Sequence, residues 1–346
     1  MNYTTLPHTD IDVSKICLGT MTWGNQNTEE EGHEQMNYAV DQGINFFDTA
    51  ELYSVPAHAD RWGDTEKIIG SWFQKNGNRD KIVLASKIAG KAEMSKFIRT
   101  TGFTSDSIRN AVAGSLERLQ TDYIDVYQLH WPERSTNYFG KRGYEHDVSD
   151  HWQDNIHEVL ETLRDLIREG KIRHVGISNE TPWGTMRFIM ESKVHASLPR
   201  TITIQNPYNL LNRLFEVGLS EIAIREKVGL LAYSPLGFGT LTGKFMGGMR
   251  PATSRVVLYP QYSRYSGDTA SKAIEKYHEL AKEHGLSMAQ MALAFVNTRP
   301  FVTSTIIGAT SMEQLKQNIG SIDVALSDEV LQGIEDIHTM IPNPSP

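Results

Sequence analysis

The chain has 346 residues, 39% hydrophobic and 22% charged, an ordinary globular composition with apolar mass for a large core. Its 34 Lys+Arg against 42 Asp+Glu leave a net charge of -8, the wrong sign for a general binder of nucleic-acid backbone, and its single cysteine, Cys17, excludes an internal disulfide. No apolar run reaches the roughly 18 residues of a membrane helix, and MNYTTLPHTDIDV has neither a basic nor an apolar leader region, so the cytoplasm is the expected compartment.

Short β-branched runs recur, each followed by a helix-like stretch. Residues 15–19 (KICLG) form the first run, and 29–41 read as a helix stopped before Gly43. Then come strand 44–48 (INFFD) and helix 65–75, strand 81–87 (KIVLASK) and helix 105–119 capped by Thr104. Strand 124–130 (IDVYQLH) precedes helix 156–168, which Gly170 stops. Strand 172–178 (IRHVGIS) precedes helix 182–192, with Pro182 at its start. Strand 201–205 (TITIQ) leads to helix 216–226, strand 229–233 (GLLAY) to helix 268–284 after a long connection, and strand 303–308 (TSTIIG) to helix 312–319.

Eight strands alternating with helices imply parallel pairing through right-handed crossovers. Eight such repeats predict a closed (β/α)8 TIM barrel, an α/β fold in one domain over residues 1–346. LPHTDIDV, at 6–13, predicts an N-terminal hairpin over the barrel floor, and the Pro-rich tail IPNPSP a loosely ordered end. Met186 and Met190 share a helix face and read as core.

Barrel chemistry sits where strands end. The second strand ends at Asp48 with Tyr53 close behind, the third at Lys87 and the fourth at His130. A carboxylate beside a lysine holds it charged. A charged lysine beside a phenol lowers its pKa from about 10 toward working pH. The tyrosine then serves as a general acid or base, and a neutral histidine donates to a carbonyl oxygen. Singly, each of these residues reads as well as a structural hydrogen-bonding or packing group. Lys87 as a Schiff-base nucleophile of an aldolase fits less well, because Asp48 raises the lysine pKa.

The segments LGTMTWG (18–24), GINFFDTAELY (43–53), TDYIDVYQLHWP (121–132), GKIRHVGISN (170–179), TIQNPYNLLNR (203–213), LLAYSPLGFGTLTGK (230–244) and IIGATSMEQLKQNI (306–319) occur in an order that resembles the aldo-keto reductase family, most closely its bacterial Tas-type members. The resemblance implies reduction of a small aldehyde or ketone with NADPH, on a tetrad of Asp48, Tyr53, Lys87 and His130 with Tyr53 as proton donor. It implies nicotinamide contacts from Ser178, Asn179 and Gln205, and a ring stacked on Tyr233. Pyrophosphate contacts fall on Ser234, Leu236, Gly239 and Lys244. The adenosine-phosphate end falls on Arg264, Gly308, Thr310, Gln314 and Asn318. Glycines 237, 239 and 243 are not spaced as GxGxxG and do not follow a first strand, so a Rossmann unit is excluded. A more distant likeness to potassium-channel β-subunits leaves a second reading, a cofactor-bound interaction module.

Two long loops should lie at the C-terminal face and shape substrate entry. They are 54–62 and the aromatic-rich 131–154. Trp23 and Trp131 read as substrate-wall residues, with core packing the alternative for Trp23. No motif has metal-ligand spacing, and His146, His151 and His157 form no recognised set.

Overall fold

The computed structural model describes residues 1–346 and begins with an antiparallel hairpin, β1 (Tyr3–Thr5) and β2 (Asp12–Ser14). Eight parallel strands follow: β3 (Ile16–Gly19), β4 (Phe46–Asp48), β5 (Val83–Ile88), β6 (Ile124–Leu129), β7 (Ile172–Ser178), β8 (Thr201–Pro207), β9 (Gly229–Tyr233) and β10 (Val302–Ile307). They close in sequence order, with β10 pairing both β9 and β3. The (β/α)8 barrel expected from the repeat is therefore present.

Alternation along each strand sorts its side chains to two sides. One set faces the helices. The other points inward, and Cys17, Phe46, Ala85, Val126, Ile202, Leu231 and Ile306, one from each of seven strands, pack with Leu6 and Val13 of the hairpin. The hairpin thus seals an apolar floor, as expected. At β8 the register slips between the Val175–Thr201 and Gly176–Thr203 pairs, which brings Ile202 into this inward layer.

The outer ring is α1 (Glu29–Asp41), α2 (Asp64–Asn76), α3 (Ser105–Leu119), α4 (Ile156–Arg168), α5 (Pro182–Val194), α6 (Phe215–Arg225), the short α7 (Arg255–Leu258), α8 (Asp268–Glu283), α9 (Met288–Asn297), α10 (Met312–Gly320) and α11 (Asp328–Met340). Hydroxyl caps set six of the starts: Thr28, Thr104, Thr181, Ser287, Ser311 and Ser327 each accept from the N3 amide. Each contributes about 1 kcal/mol. No helix is long and apolar enough to cross a membrane.

Three local expectations are corrected. Helix α9 was not expected, because MAQMALAFVN is buried on nearly every side and has no polar stripe to mark a period. Met190 is 45% exposed rather than core, while Met186 only borders the core. The tail is docked, not loose: Ser345 N donates to Leu211 O at 3.0 Å, Arg213 N to Asn343 Oδ1 at 2.7 Å, and Arg142 Nη2 to Pro344 O at 3.0 Å.

Candidate active site

Above the apolar floor the same inward alternation turns polar. Two positions beyond Phe46, Ala85 and Val126 stand Asp48, Lys87 and Gln128. Lys87 Nζ donates to Asp48 Oδ2 at 2.7 Å and to Thr49 O at 2.6 Å. Asp48 Oδ1 accepts from Gln205 Nε2 at 2.8 Å and Gln128 Nε2 at 3.2 Å. A buried ion pair is tolerated only when its remaining hydrogen-bonding capacity is met, and both partners here are so furnished.

Tyr53 lies on the β4 loop, where Glu51 N donates to Lys87 O at 3.2 Å and Tyr53 N to Ala50 O at 3.0 Å. The Lys87 ammonium sits 4.9 Å from the Tyr53 ring centroid, and the His130 ring meets Tyr53 edge-on at 5.7 Å. The structure therefore brings Asp48, Tyr53, Lys87 and His130 together.

Their electrostatics differ in one respect from expectation. Desolvation raises the Tyr53 phenol above its usual 10.0, and Lys87 only opposes that rise. Tyr53 is thus a protonated donor at neutral pH. Burial also works against the Lys87 charge, but Asp48 and Tyr53 outweigh it and raise its pKa. That does not suit a Schiff-base nucleophile, which needs a neutral amine. Burial, then the Lys87 charge, holds His130 well below 6.5, so its imidazole is neutral at pH 7. The His130 Nδ1 atom is buried without a partner.

Ser178, Asn179, Gln205 and Tyr233 form one connected rim. Ser178 Oγ donates to Gln205 O at 2.8 Å, Asn179 Nδ2 to His130 O at 2.9 Å, and Tyr233 OH to Asn179 Oδ1 at 2.6 Å. Beyond β9, Ser234, Gly237, Phe238 and Gly239 all take positive φ. Gly239 is favoured as glycine because its φ of 90 is one that residues bearing a Cβ rarely adopt. Leu236 begins this turn and packs against the core.

The loop after β10 is a separate group. Thr310 N donates to Gln314 Oε1 at 3.1 Å, and Asn318 Nδ2 to Gly308 O at 3.2 Å. Arg264 is not in it. Its guanidinium lies 5.8 Å from the Phe238 ring centroid and interacts with Tyr233 and Tyr265. The reason is the packing of the β9 loop, where Tyr262 and Tyr265 meet Phe238 edge-on and Tyr265 is fully buried.

The two tryptophans part company. Trp23 is fully buried in the main core and donates Nε1 to Gln35 Oε1 of α1 at 3.2 Å. It is a packing residue, correcting its reading as a wall. Trp131 clusters with Leu52 and Ala89, against Tyr53 and Tyr138, with its Nε1 unpartnered. Of the other loop aromatics, Phe139 joins Trp131, whereas Trp152 turns to Trp183 of α5 and Tyr144 is exposed. The 54–62 loop is held at the rim, where Asn25 Nδ2 donates to Val55 O at 3.0 Å and to the Tyr259 hydroxyl at 3.2 Å.

Sequence reasoning missed three contributors. Gln128 was visible as the inward residue two before His130. Glu51, 1% exposed, binds Arg99 and Ala89 N, tying the Tyr53 loop to the β5 loop. Arg255 lies 5.4 Å from the Phe238 ring centroid, and its spacing with Tyr259 and Tyr262 was the available signal. The groups acting on Lys244, Arg255 and Arg264 are burial, tyrosines and one another, with no carboxylate among them.

The Aldo/keto reductase family model matches residues 15–339. The chain is 49% identical to Protein tas of Escherichia coli (strain K12), over the whole of both chains. It is 35% identical to the uncharacterized oxidoreductase YrpG of Bacillus subtilis (strain 168), over 97% of this chain and 96% of that one. With the aldo-keto reductase YhdN of the same organism it shares 30% identity, over 99% of this chain and 94% of the other.

Proposed function

Because the chain belongs to the aldo/keto reductase family, we propose that this oxidoreductase reduces a small aldehyde or ketone to an alcohol with NADPH, Tyr53 acting as general acid. The observation that carries the proposal is the buried Asp48–Lys87 pair directly beneath the Tyr53 ring.

The residues suit a dinucleotide with an extra phosphate. Lys244, Arg255 and Arg264 surround one aromatic turn without an acidic partner. A pyrophosphate alone needs fewer cations. Three unpaired ones favour a ligand that also bears a 2′-phosphate, hence NADP over NAD. The positive-φ run at 237–239 would let backbone approach phosphate oxygens closely. Ser178, Asn179 and the Tyr233 ring would hold the nicotinamide end, and Gly308, Thr310, Gln314 and Asn318 the adenosine end.

The bound nicotinamide supplies the hydride. This chain's residues do the rest. Neutral His130 orients the carbonyl oxygen by donating to it. Tyr53 delivers its proton to that oxygen as negative charge develops there. Lys87, kept charged by Asp48, stabilises the phenolate that remains. Trp131 forms an apolar side of the substrate space.

Titration of the purified protein with NADPH and with NADH, read by its six tryptophans, tests the cofactor. Tight NADPH and weak NADH binding is expected, followed by NADPH oxidation on a carbonyl panel. Binding to neither would remove the proposal, and equal binding would remove its 2′-phosphate part.

A further inference from the structure

The outer helical ring carries a second cluster that carbonyl reduction does not use. Glu191, in the last turn of α5, and His195, the C-cap just beyond it, stand four residues apart, and His195 N still donates to Glu191 O at 2.9 Å. His195 Nε2 is 3.2 Å from Glu191 Oε1. From α4, His157 Nδ1 approaches the same oxygen to 2.6 Å. The two imidazoles meet edge to face, 4.7 Å between centroids. One donor atom from each of the three residues lies within 4.8 Å of the others.

Glu191 divides its oxygens. Oε2 faces Arg187, which also holds Asp154 at 2.7 Å, and this leaves Oε1 to the imidazoles. A plain salt bridge needs one histidine at a carboxylate. Two imidazoles and a carboxylate with one donor atom each within 4.8 Å of the others also make up the donor set of a chelate. The Glu191 side chain is 10% exposed, and those of His157 and His195 are 37% and 47% exposed, so the carboxylate forms the back of a site open to solvent. The other ring nitrogen of His157, Nε2, faces away from this group, 3.9 Å from Glu161 Oε2.

We propose that His157, Glu191 and His195 bind a divalent transition-metal ion of the Zn2+ class, linking α4 to α5. Donors about 2.0–2.2 Å from one such ion stand roughly 3–4 Å apart, within small side-chain rotations of the observed positions. Two imidazoles and one carboxylate select Zn2+, Co2+, Ni2+ or Cu2+ over Mg2+ or Ca2+, which take all-oxygen sites. Spacing along the chain cannot show this site, because the partners of His157 come from the neighbouring helix. An ion that binds only the folded chain raises its stability by mass action.

The test uses full-length protein stripped with chelator and titrated calorimetrically with Zn2+, and in parallel with Co2+ read by visible absorption. One ion per chain is expected, with a raised Tm and a Co2+ ligand-field band that Mg2+ does not displace. His157→Ala and His195→Ala should each weaken binding about tenfold or more, and the double variant should abolish it. The exposed-site substitution His195→Gln and the near-isosteric Glu191→Gln supply the same comparison should the double variant melt early. No binding by the unaltered chain at micromolar Zn2+, or binding undiminished in these variants, overturns the proposal.

Discussion

Lys87 Nζ stands 2.7 Å from Asp48 Oδ2, with the two side chains 0% and 3% exposed. This pair is the reason a barrel with an apolar floor carries charge at its other end. Neither charge survives there alone, since an isolated buried ion costs several kcal/mol.

Asp48→Asn leaves Lys87 buried without its counter-charge. Urea unfolding should show a loss of about 3–5 kcal/mol. The double variant Asp48→Asn with Lys87→Met should regain much of that stability and no turnover. A single variant as stable as the parent would show that the pair contributes little.

His130 ties stability to pH. Its folded pKa lies well below 6.5, so between that value and 6.5 the unfolded chain binds the extra proton. Stability therefore rises with pH through this window and falls on acidification below 6.5. Half-buried His174 and His338 shift the same way, so the comparison must isolate His130. The His130→Gln variant should show a shallower acid limb than the parent. Parallel limbs would remove the assignment of a neutral, buried His130.

Glu51 is two residues from Tyr53 and accepts from Ala89 N and Arg99. Glu51→Ala leaves Arg99 and that amide unmatched. We expect a loss of about 3 kcal/mol and a kcat that falls more than KM rises, since the substitution loosens Tyr53 rather than the substrate wall. Unchanged kcat in folded protein would confine Glu51 to stability.

The tail joins Leu211, Arg213 and Arg142 through three hydrogen bonds. Removing residues 342–346 forfeits roughly 1 kcal/mol for each. The expected result is a Tm lower by several degrees and faster proteolysis within the 131–154 loop that Arg142 anchors. A truncated chain with parental melting and digestion would contradict the docked tail.

Much of this was legible before the structure. The barrel strands are short apolar runs, β-branched in β7, β8 and β10, and several helices announce themselves by a hydroxyl cap, as at Thr104 and Thr181. Asp48, Lys87 and His130 are legible because parallel strands end on one face. What was missed depends on packing across distance. Helix α9 has no polar stripe, and the contact of Arg255 with Phe238 depends on a loop whose course Tyr265 and Phe238 decide. The direction of the Tyr53 shift depends on how fully the site excludes water, which residue type does not encode.

The most direct test of the account is turnover by Tyr53→Phe, measured as carbonyl-dependent NADPH oxidation beside NADPH affinity. The account predicts a rate lower by about 10²–10⁴-fold with NADPH affinity nearly unchanged. A variant that keeps near-parental turnover would contradict it.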